Sequence, residues 1–331
     1  MSVEVAFKKS IFSNVELQYR KFVNTLFQYT WSLLRGMYKP SKLVDLQSTK
    51  SMIEGQIRLA KIFKAIFRID IAMIIIGDSN GENLAKAKFM SQFGNLGLSL
   101  NIAKGGTRGD SWVDFFQTNP EILEYIQNNI PIVIFNIGGN HVLQGRMDLL
   151  KPSLITLHEW FPKSFNIEVP PIYSEVLAGF QGISFKEIES NIKLTNEVIN
   201  DIWDERTIGL YDEFTDPSTL GEEIPDRPIM FLLGDVVHFS DLGNNIRVKI
   251  INSAVVFFYL FFENPSEIAL EESLEYIFED LSGKDHDSAL KIRVKHYYIH
   301  NKEEIKGFKD KLEKEAKSKK KPAKKKTKKK K

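Results

Sequence analysis

Three apolar segments, each followed by a polar loop that contains glycine, are the feature that most restricts how this chain can fold. Residues 69–76 form an almost unbroken apolar run. Shorter runs cover residues 98–102 and 132–137, with helical patterns at about 82–93 and 111–128 between them. Apolar runs of this length are typical of strands buried on both faces, as in parallel sheets. Their alternation with helices predicts an α/β fold with a central parallel sheet.

The polar loops mark the edge of this sheet where a site is expected. They begin at Gly77, Gly105 and Gly138, in each case soon after a predicted strand. Open α/β sheets bind ligands in the crevice outside the carboxyl ends of their strands. We therefore expect the three loops to lie at one edge of the sheet and to form the site together.

The remaining sequence predicts mainly helices. Residues 1–68 repeat apolar side chains at helical spacing, and we expect them to pack on the body of the protein; a membrane-surface helix is the alternative. Further helices are predicted at about 146–162, 185–205 and 244–262, and short strands at 167–169 and 208–211. The predicted organisation is a helical N-terminal extension (1–68), a central α/β domain (69–262), a helical C-terminal extension (263–316) and a lysine-rich tail (317–331).

Charge is divided unevenly along the chain. The formal net charge is +2, but residues 317–331 contain eleven lysines and no acid, so the rest of the chain is acidic. Such a tail cannot bury apolar surface and is predicted to be disordered. It either binds an anionic partner, such as nucleic acid or a membrane surface, or acts only as a solubilising tail.

Composition excludes several kinds of chemistry. The 331 residues include no cysteine, so disulfides, thiolate catalysis and cysteine-ligated zinc are ruled out. No secretory signal is recognised at the N-terminus, and the longest apolar run, residues 254–262, is too short to span a bilayer. We expect a cytoplasmic protein with no transmembrane segment.

A set of polar residues in these loops has the composition of a nucleophilic site. Ser79 is the candidate nucleophile, and His238 is the candidate base that takes its proton. Asp235, three residues before His238, can accept from the other imidazole nitrogen and fix its tautomer. The oxyanion donors are expected to be the Ser79 N–H, the Gly109 N–H and the Asn140 side chain, with Gly105 or Gly106 as alternatives to Gly109.

Together these residues resemble the SGNH (GDSL-type) hydrolase family, which carries a serine, a glycine, an asparagine and a histidine in four sequence blocks. The resemblance covers residues 69–262. Asn80 replaces the leucine that usually follows Gly-Asp-Ser, and His141 replaces the aspartate that usually follows the asparagine. The matching residues are Ile76, Gly77, Asp78 and Ser79; Gly109, Asp110 and Ser111; Gly138, Gly139 and Asn140; and Asp235, His238, Ser240, Gly243 and Asn244.

The resemblance implies a flavodoxin-like three-layer α/β/α sandwich that hydrolyses esters through a covalent acyl-enzyme, without a cofactor or metal. The substrate is expected to be a small-molecule, lipid or carbohydrate ester. An O-acyltransferase on the same site and a non-catalytic binding protein that retains the fold are the alternatives. Each residue also has a structural interpretation: Ser79 as a helix N-cap, Asn140 as a turn residue, and His141 and His238 as hydrogen-bonded structural histidines.

Overall fold

The computed structural model describes residues 14–36, 46–94, 96–171, 184–211, 214 and 237–261. Within these residues lies one sheet of five strands: β1 (Ile71–Gly77), β2 (Leu98–Asn101), β3 (Ile132–Asn136), β4 (Phe165–Ile167) and β5 (Thr207–Ile208). Their order in the sheet is β2-β1-β3-β4-β5, and every pair of neighbouring strands is parallel. This is the strand order of a flavodoxin-like doubly wound sheet, so the predicted fold class is confirmed.

Two apolar layers cover the sheet, one on each face. Successive side chains of a strand point to opposite faces, so Ile74 and Phe135 enter one core while Ile75 and Ile134 enter the other. Every residue of the first four strands is buried as a result. This double burial is why these strands read as continuous apolar runs and not as an alternating pattern.

Helices form the two outer layers. They are α1 (Asn14–Arg35), α2 (Lys50–Phe67), α3 (Ser79–Asn83), α4 (Ala87–Met90), α5 (Gly109–Thr118), α6 (Pro120–Asn129), α7 (Gly139–Leu143), α8 (Leu150–Trp160), α9 (Phe185–Trp203) and α10 (Asp241–Phe261). One core is lined by α1, α2, α5, α6, α8 and α9, and the other is lined by α4 and α10.

Two predicted helices are broken in the structure. The stretch at 111–128 is divided into α5 and α6, because Pro120 starts a new helix at its first position and the residue before a proline avoids the helical conformation. The stretch at 82–93 is divided into α3, α4 and a 3₁₀ turn, Ser91–Phe93. Gly81 and Asn83 are weak helix formers, which is consistent with the early end of α3.

The edge strand β2 is covered by amide side chains from α1 and α2. Asn24 Oδ1 accepts from the Ser99 N–H (3.0 Å), and Gln28 Nε2 donates to the Ser99 carbonyl (2.6 Å). With its amide turned to satisfy both neighbours, Gln56 of α2 donates to the Asn101 carbonyl (3.0 Å) and accepts from Trp31 Nε1 (3.1 Å). These side chains occupy backbone groups that another strand would otherwise pair with.

Some expectations lie outside the described residues. They include the C-terminal extension, the lysine-rich tail and Asp235, and the proposed domain boundaries stay predictions. Among the helices of the described ranges, none combines the length and the hydropathy needed to cross a lipid bilayer.

Candidate active site

The crevice between β1 and β3 holds two of the predicted site residues. Ser79 is the first residue of α3, close after β1, and Asn140 is the second residue of α7, close after β3. Both line one small cleft, which Gly139 and Val237 also line. The fold therefore brings Ser79, Asn140 and the neighbour of His238 together at the carboxyl edge of the sheet, where the strand order reverses.

Close packing between β1 and β3 requires a glycine just before the site. A Cβ on Gly77 would lie 2.4 Å from the backbone oxygen of Asn136. The Gly77 carbonyl accepts from the Lys104 N–H (2.9 Å), Thr107 Oγ1 (2.9 Å) and Trp112 Nε1 (3.2 Å). The end of β1 is thus attached to the second loop, which positions Ser79 two residues later.

Asp78 caps the helix that begins with Ser79. Its carboxylate accepts from the Asn80 N–H (2.9 Å) and from Asn136 Nδ2 (3.3 Å). Burial raises the pKa of Asp78 to about 6, while the N–H groups of Asn80 and Gly81 and the nearby charges of Arg247 and His238 act in the opposite direction. The residue that precedes the candidate nucleophile is therefore a buried carboxyl group whose pKa lies close to neutral pH.

The guanidinium of Arg247 connects this turn to α10. It is fully buried and donates to the Asn80 carbonyl (3.1 Å), to Asn244 Oδ1 (3.0 Å) and to Asn136 Oδ1. It also lies 4.2 Å from the ring centroid of Phe239. Burial lowers the pKa of Arg247 to about 9, and Asp78 opposes that shift. This one side chain therefore joins α10 to the turn that follows β1 and to the last residue of β3.

The second loop uses its glycines in different ways. The Gly105 N–H donates to Glu82 Oε2 (2.7 Å), and a Cβ on Gly105 would lie 3.4 Å from that of Ser79. Gly109 starts α5, and a Cβ there would lie 2.3 Å from Ser153 Oγ and 3.3 Å from the His141 ring. Close helix packing therefore explains Gly109 as a residue type. The Gly105 N–H already has a carboxylate partner, but none of Gly105, Gly106 and Gly109 lines the cleft around Ser79, so Gly109 as an oxyanion donor stays a prediction.

His141, which replaces the aspartate of the family pattern, is fully buried beneath this loop. Its Nε2 lies 3.6 Å from Asp110 Oδ1, and neither ring nitrogen has a hydrogen-bond partner. Burial lowers the pKa of His141 to about 4, so its imidazole is neutral at pH 7. His141 is not among the residues that line the cleft around Ser79.

Two candidate catalytic groups, Ser79 and Asn140, line the same cleft, and no hydrogen bond within the described residues joins them. No described residue is hydrogen-bonded to the Ser79 hydroxyl, and such contacts are often loose in structures without substrate. Asn140 Nδ2 donates to the Thr107 carbonyl (2.8 Å), which fixes the amide and uses one of its two N–H groups. His238 is half-buried and close enough to affect the pKa of Asp78. Its predicted partner Asp235 is outside the described residues.

A larger cavity lies away from this site. It has a volume of about 390 Å³ and lies at the opposite edge of the sheet, where Ile132, Trp160, Phe165 and Arg206 are among its lining residues. None of the residues that line it is a predicted catalytic group. Ser79 and Asn140 instead line the smaller cleft. Within the described residues no three His, Asp or Glu side chains come together as a metal site would require.

Sequence reasoning missed Arg247 and the role of Asn136. Arg247 is a single cation among Ile246, Val248 and Ile250 in an apolar helix, and it follows Asn244 by three residues, so both share one helix face. That spacing was the only available indication. Asn136 ends an apolar strand, where a polar residue is common, and its partners are distant in sequence.

Comparisons with solved structures return esterases and lipases. A GDSL-like lipase from Bacteroides thetaiotaomicron has 14% identity and a TM-score of 0.44, over 56% of this chain and 87% of that one. A lipase/acylhydrolase from Enterococcus faecalis has 18% identity and a TM-score of 0.43, over 56% and 95%. An acetyl xylan esterase has 17% identity and a TM-score of 0.41, over 56% and 100%. No protein-family model and no curated protein matches the sequence.

Proposed function

We propose that this protein is a serine hydrolase of the esterase or acyl-hydrolase type, with Ser79 as nucleophile, His238 as base and Asp235 as the acid that orients it. The observation that carries this assignment is the shared cleft at the β1–β3 crevice. Ser79 and Asn140 line it from two adjacent strands, and Val237 brings the histidine-bearing segment to the same place.

The local structure also suits a nucleophile. Ser79 is held by the Asp78 cap and by the hydrogen bonds of Gly77, so its backbone cannot shift easily. It is the first residue of α3, and its own N–H lies in the first turn, where helical N–H groups have no partner within the helix. A donor at this position suits an oxyanion that forms on a carbonyl carbon bound to the serine oxygen.

The proposed reaction has two steps. Ser79 Oγ bonds to the ester carbonyl carbon while His238 takes the hydroxyl proton, and the N–H groups of Ser79 and Gly109 and the Asn140 amide hold the oxyanion. The tetrahedral intermediate then loses the alcohol, which receives its proton from His238, and an acyl-serine remains. Water, deprotonated by His238, then bonds to the acyl carbon. The bond from that carbon to Ser79 Oγ breaks, Ser79 Oγ regains a proton from His238, and the acid is released.

Fluorophosphonate labelling followed by peptide mapping tests this assignment directly. The chain contains the tripeptide Gly-Asp-Ser twice, at Ser79 and at Ser111, so Ser111 is a matched control. Ser111 Oγ accepts from the Arg108 N–H (3.3 Å) at the start of α5, as expected for a structural capping residue. We expect the label on Ser79, loss of labelling in Ser79→Ala and His238→Ala, and normal labelling in Ser111→Ala.

Hydrolysis of short p-nitrophenyl esters completes the test. Ser79→Ala is expected to lower kcat/KM roughly 10³-fold or more, since removal of a nucleophile leaves only the contribution of the oxyanion donors and binding. A folded Ser79→Ala variant with full activity, or a label on Ser111, would refute the assignment. Transfer of the acyl group to an added alcohol in preference to water would favour the acyltransferase alternative.

A further inference from the structure

Helix α1 carries apolar side chains on the face that points away from the protein. Its inner face buries Leu17, Phe27 and Trp31. At about 100° per residue, the outer positions are centred roughly 160° away from this inner face. They are 39% to 82% exposed and form what we call the outer stripe: Val15, Tyr19, Phe22, Leu26, Tyr29 and Leu33.

The spacing of the outer stripe is that of a helix–helix seam. The six positions are separated by 4, 3, 4, 3 and 4 residues, which is the a/d pattern of a heptad repeat. A stripe of this kind is narrow, whereas a helix that lies on a membrane has a broader apolar face bordered by Lys and Arg. Here the bordering positions are mostly neutral, with Gln18, Thr25 and Ser32 on one side of the stripe. A second helix is therefore a better partner for this face than a lipid surface.

A neighbouring helix extends the same surface. Helix α2 packs antiparallel to α1, since the rings of Phe27 and Phe63 are 5.4 Å apart and Tyr19 Oη donates to the Phe67 carbonyl (3.2 Å). Ile62 and Ile66 of α2 are also exposed. The two helices together carry seven basic and two acidic side chains. Three of the basic ones, Arg35, Lys50 and Lys64, pair with acids on other elements, so a small positive excess is left that would attract an acidic helix.

One segment of this chain has the matching properties. Residues 267–281 contain six acidic side chains and no basic one. Their apolar side chains at Leu270, Leu274, Ile277 and Leu281 are separated by 4, 3 and 4 residues, which predicts an amphipathic helix with the same seam spacing. A second copy of α1 would bring an excess of positive charge against positive charge, which disfavours pairing of the stripe with itself.

Helices α1 and α10 both contact the connection between α4 and β2. Asn24 Nδ2 of α1 donates to the Met90 carbonyl (3.0 Å), and Asn252 Nδ2 of α10 donates to the Gln92 carbonyl (3.5 Å). Phe261 follows Asn252 by nine residues, about 14 Å of helix, and the six positions from Phe261 to residue 267 can span up to about 20 Å, so the segment that begins there can return to α1. Tethering of this kind gives an effective concentration of the order of millimolar.

The geometry points to an intramolecular docking site: the outer stripe of α1 binds residues 267–281 of the same chain as an amphipathic helix. Such docking would bury the exposed apolar side chains and place the acidic segment beside the basic pair α1 and α2. It is independent of the assignment of Ser79, because it involves no residue of the cleft.

Disulfide trapping in the full-length protein tests this docking, and the absence of cysteine makes the chain suitable for it. Leu26 and Leu274 lie near the middle of the two seams, so the pair Leu26→Cys with Leu274→Cys should form an intramolecular disulfide whichever way the helices run. The matched control combines Leu274→Cys with Leu194→Cys. Leu194 is an equally exposed leucine on α9, which packs against the β4–β5 end of the sheet.

We expect oxidation to cross-link the first pair within the monomer at least about fivefold more than the control pair, because a disulfide needs its two Cβ atoms within about 4.5 Å. Adding Leu270→Lys and Ile277→Lys should remove this difference. Equal cross-linking of the two pairs would overturn the docking. A disulfide-linked dimer of the single Leu26→Cys variant would assign the stripe to a second copy. If the thiol of that single variant were protected from maleimide only on addition of phosphatidylserine vesicles, the stripe would be assigned to a membrane.

Discussion

The buried guanidinium of Arg247 leads to the strongest prediction for stability. In Arg247→Met the aliphatic stem is largely kept, but Asn136 Oδ1, Asn244 Oδ1 and the Asn80 carbonyl lose their donor, and Asp78 loses a nearby positive charge. Removal of one partner from a buried charged pair costs about 3–5 kcal/mol. We expect a loss of that size in the free energy of unfolding, measured by urea denaturation at pH 8.

Asp78 makes this loss depend on pH. The pKa of Asp78 is about 6 in the folded protein and 3.8 in the unfolded reference state. Between these two pH values the folded protein keeps a proton on Asp78 that the unfolded chain has released. Stability from this group is therefore present at low pH and decreases, by about 3 kcal/mol, as the pH rises from about 4 through 6. Without Arg247 the folded pKa rises further and the decrease continues to higher pH. The penalty of Arg247→Met should be smaller at pH 5.5 than at pH 8.

Lys151→Met is the control, because it removes a positive charge from an exposed position in α8. We expect it to change stability by no more than about 0.5 kcal/mol. The double variant Arg247→Met with Asp78→Asn should lose less than the sum of the single variants, since the two groups are coupled. The reasoning is refuted if Arg247→Met is no more destabilising than Lys151→Met, or if its effect is the same at both pH values.

Three more predictions concern the loops and the edge of the sheet. Gly109→Ala should lower the free energy of unfolding by about 1–3 kcal/mol, because the added methyl group overpacks against Ser153. Adding Ser153→Gly to that variant should restore part of the loss. Thermal unfolding of the single and the double variant checks this, and an unchanged Tm in Gly109→Ala would contradict it. The pKa of His141 is about 4 in the folded protein and 6.5 in the unfolded reference state, so His141 adds stability that is present above pH 6.5 and lost as the pH falls through 4. In His141→Leu the free energy of unfolding should depend less on pH across this window. An unchanged pH dependence would exclude His141 as its source. Gln28→Leu removes the side chain that donates to the Ser99 carbonyl at 2.6 Å, so it should lower the free energy of unfolding by about 1–3 kcal/mol and speed amide exchange in β2. Gln18→Leu, on the outer side of α1, is its control. Equal effects of the two variants would argue against protection of the β2 edge by Gln28.

The sequence was informative where a local pattern determines structure. The runs at 69–76 and 132–137 predicted β1 and β3, and the loops after them correctly placed Ser79 and Asn140 at one edge of the sheet. Periodicity reports burial of apolar side chains but not the partners of buried polar ones. Arg247, Asn136 and the amides of α1 could not be predicted for that reason, because their roles depend on contacts between residues 58 to 167 positions apart.

The amide contacts that α1 and α2 make with β2 bear on how small an active unit can be made. A chain that starts at residue 69 contains every predicted catalytic residue, yet it lacks Asn24, Gln28 and Gln56. The hydrogen-bonding groups of Ser99 and Asn101 would then face water along an open strand, which another molecule can extend. Such a truncated enzyme is expected to assemble edge to edge and precipitate, so we expect α1 and α2 to keep β2 from pairing with another molecule, although neither helix carries a predicted catalytic residue.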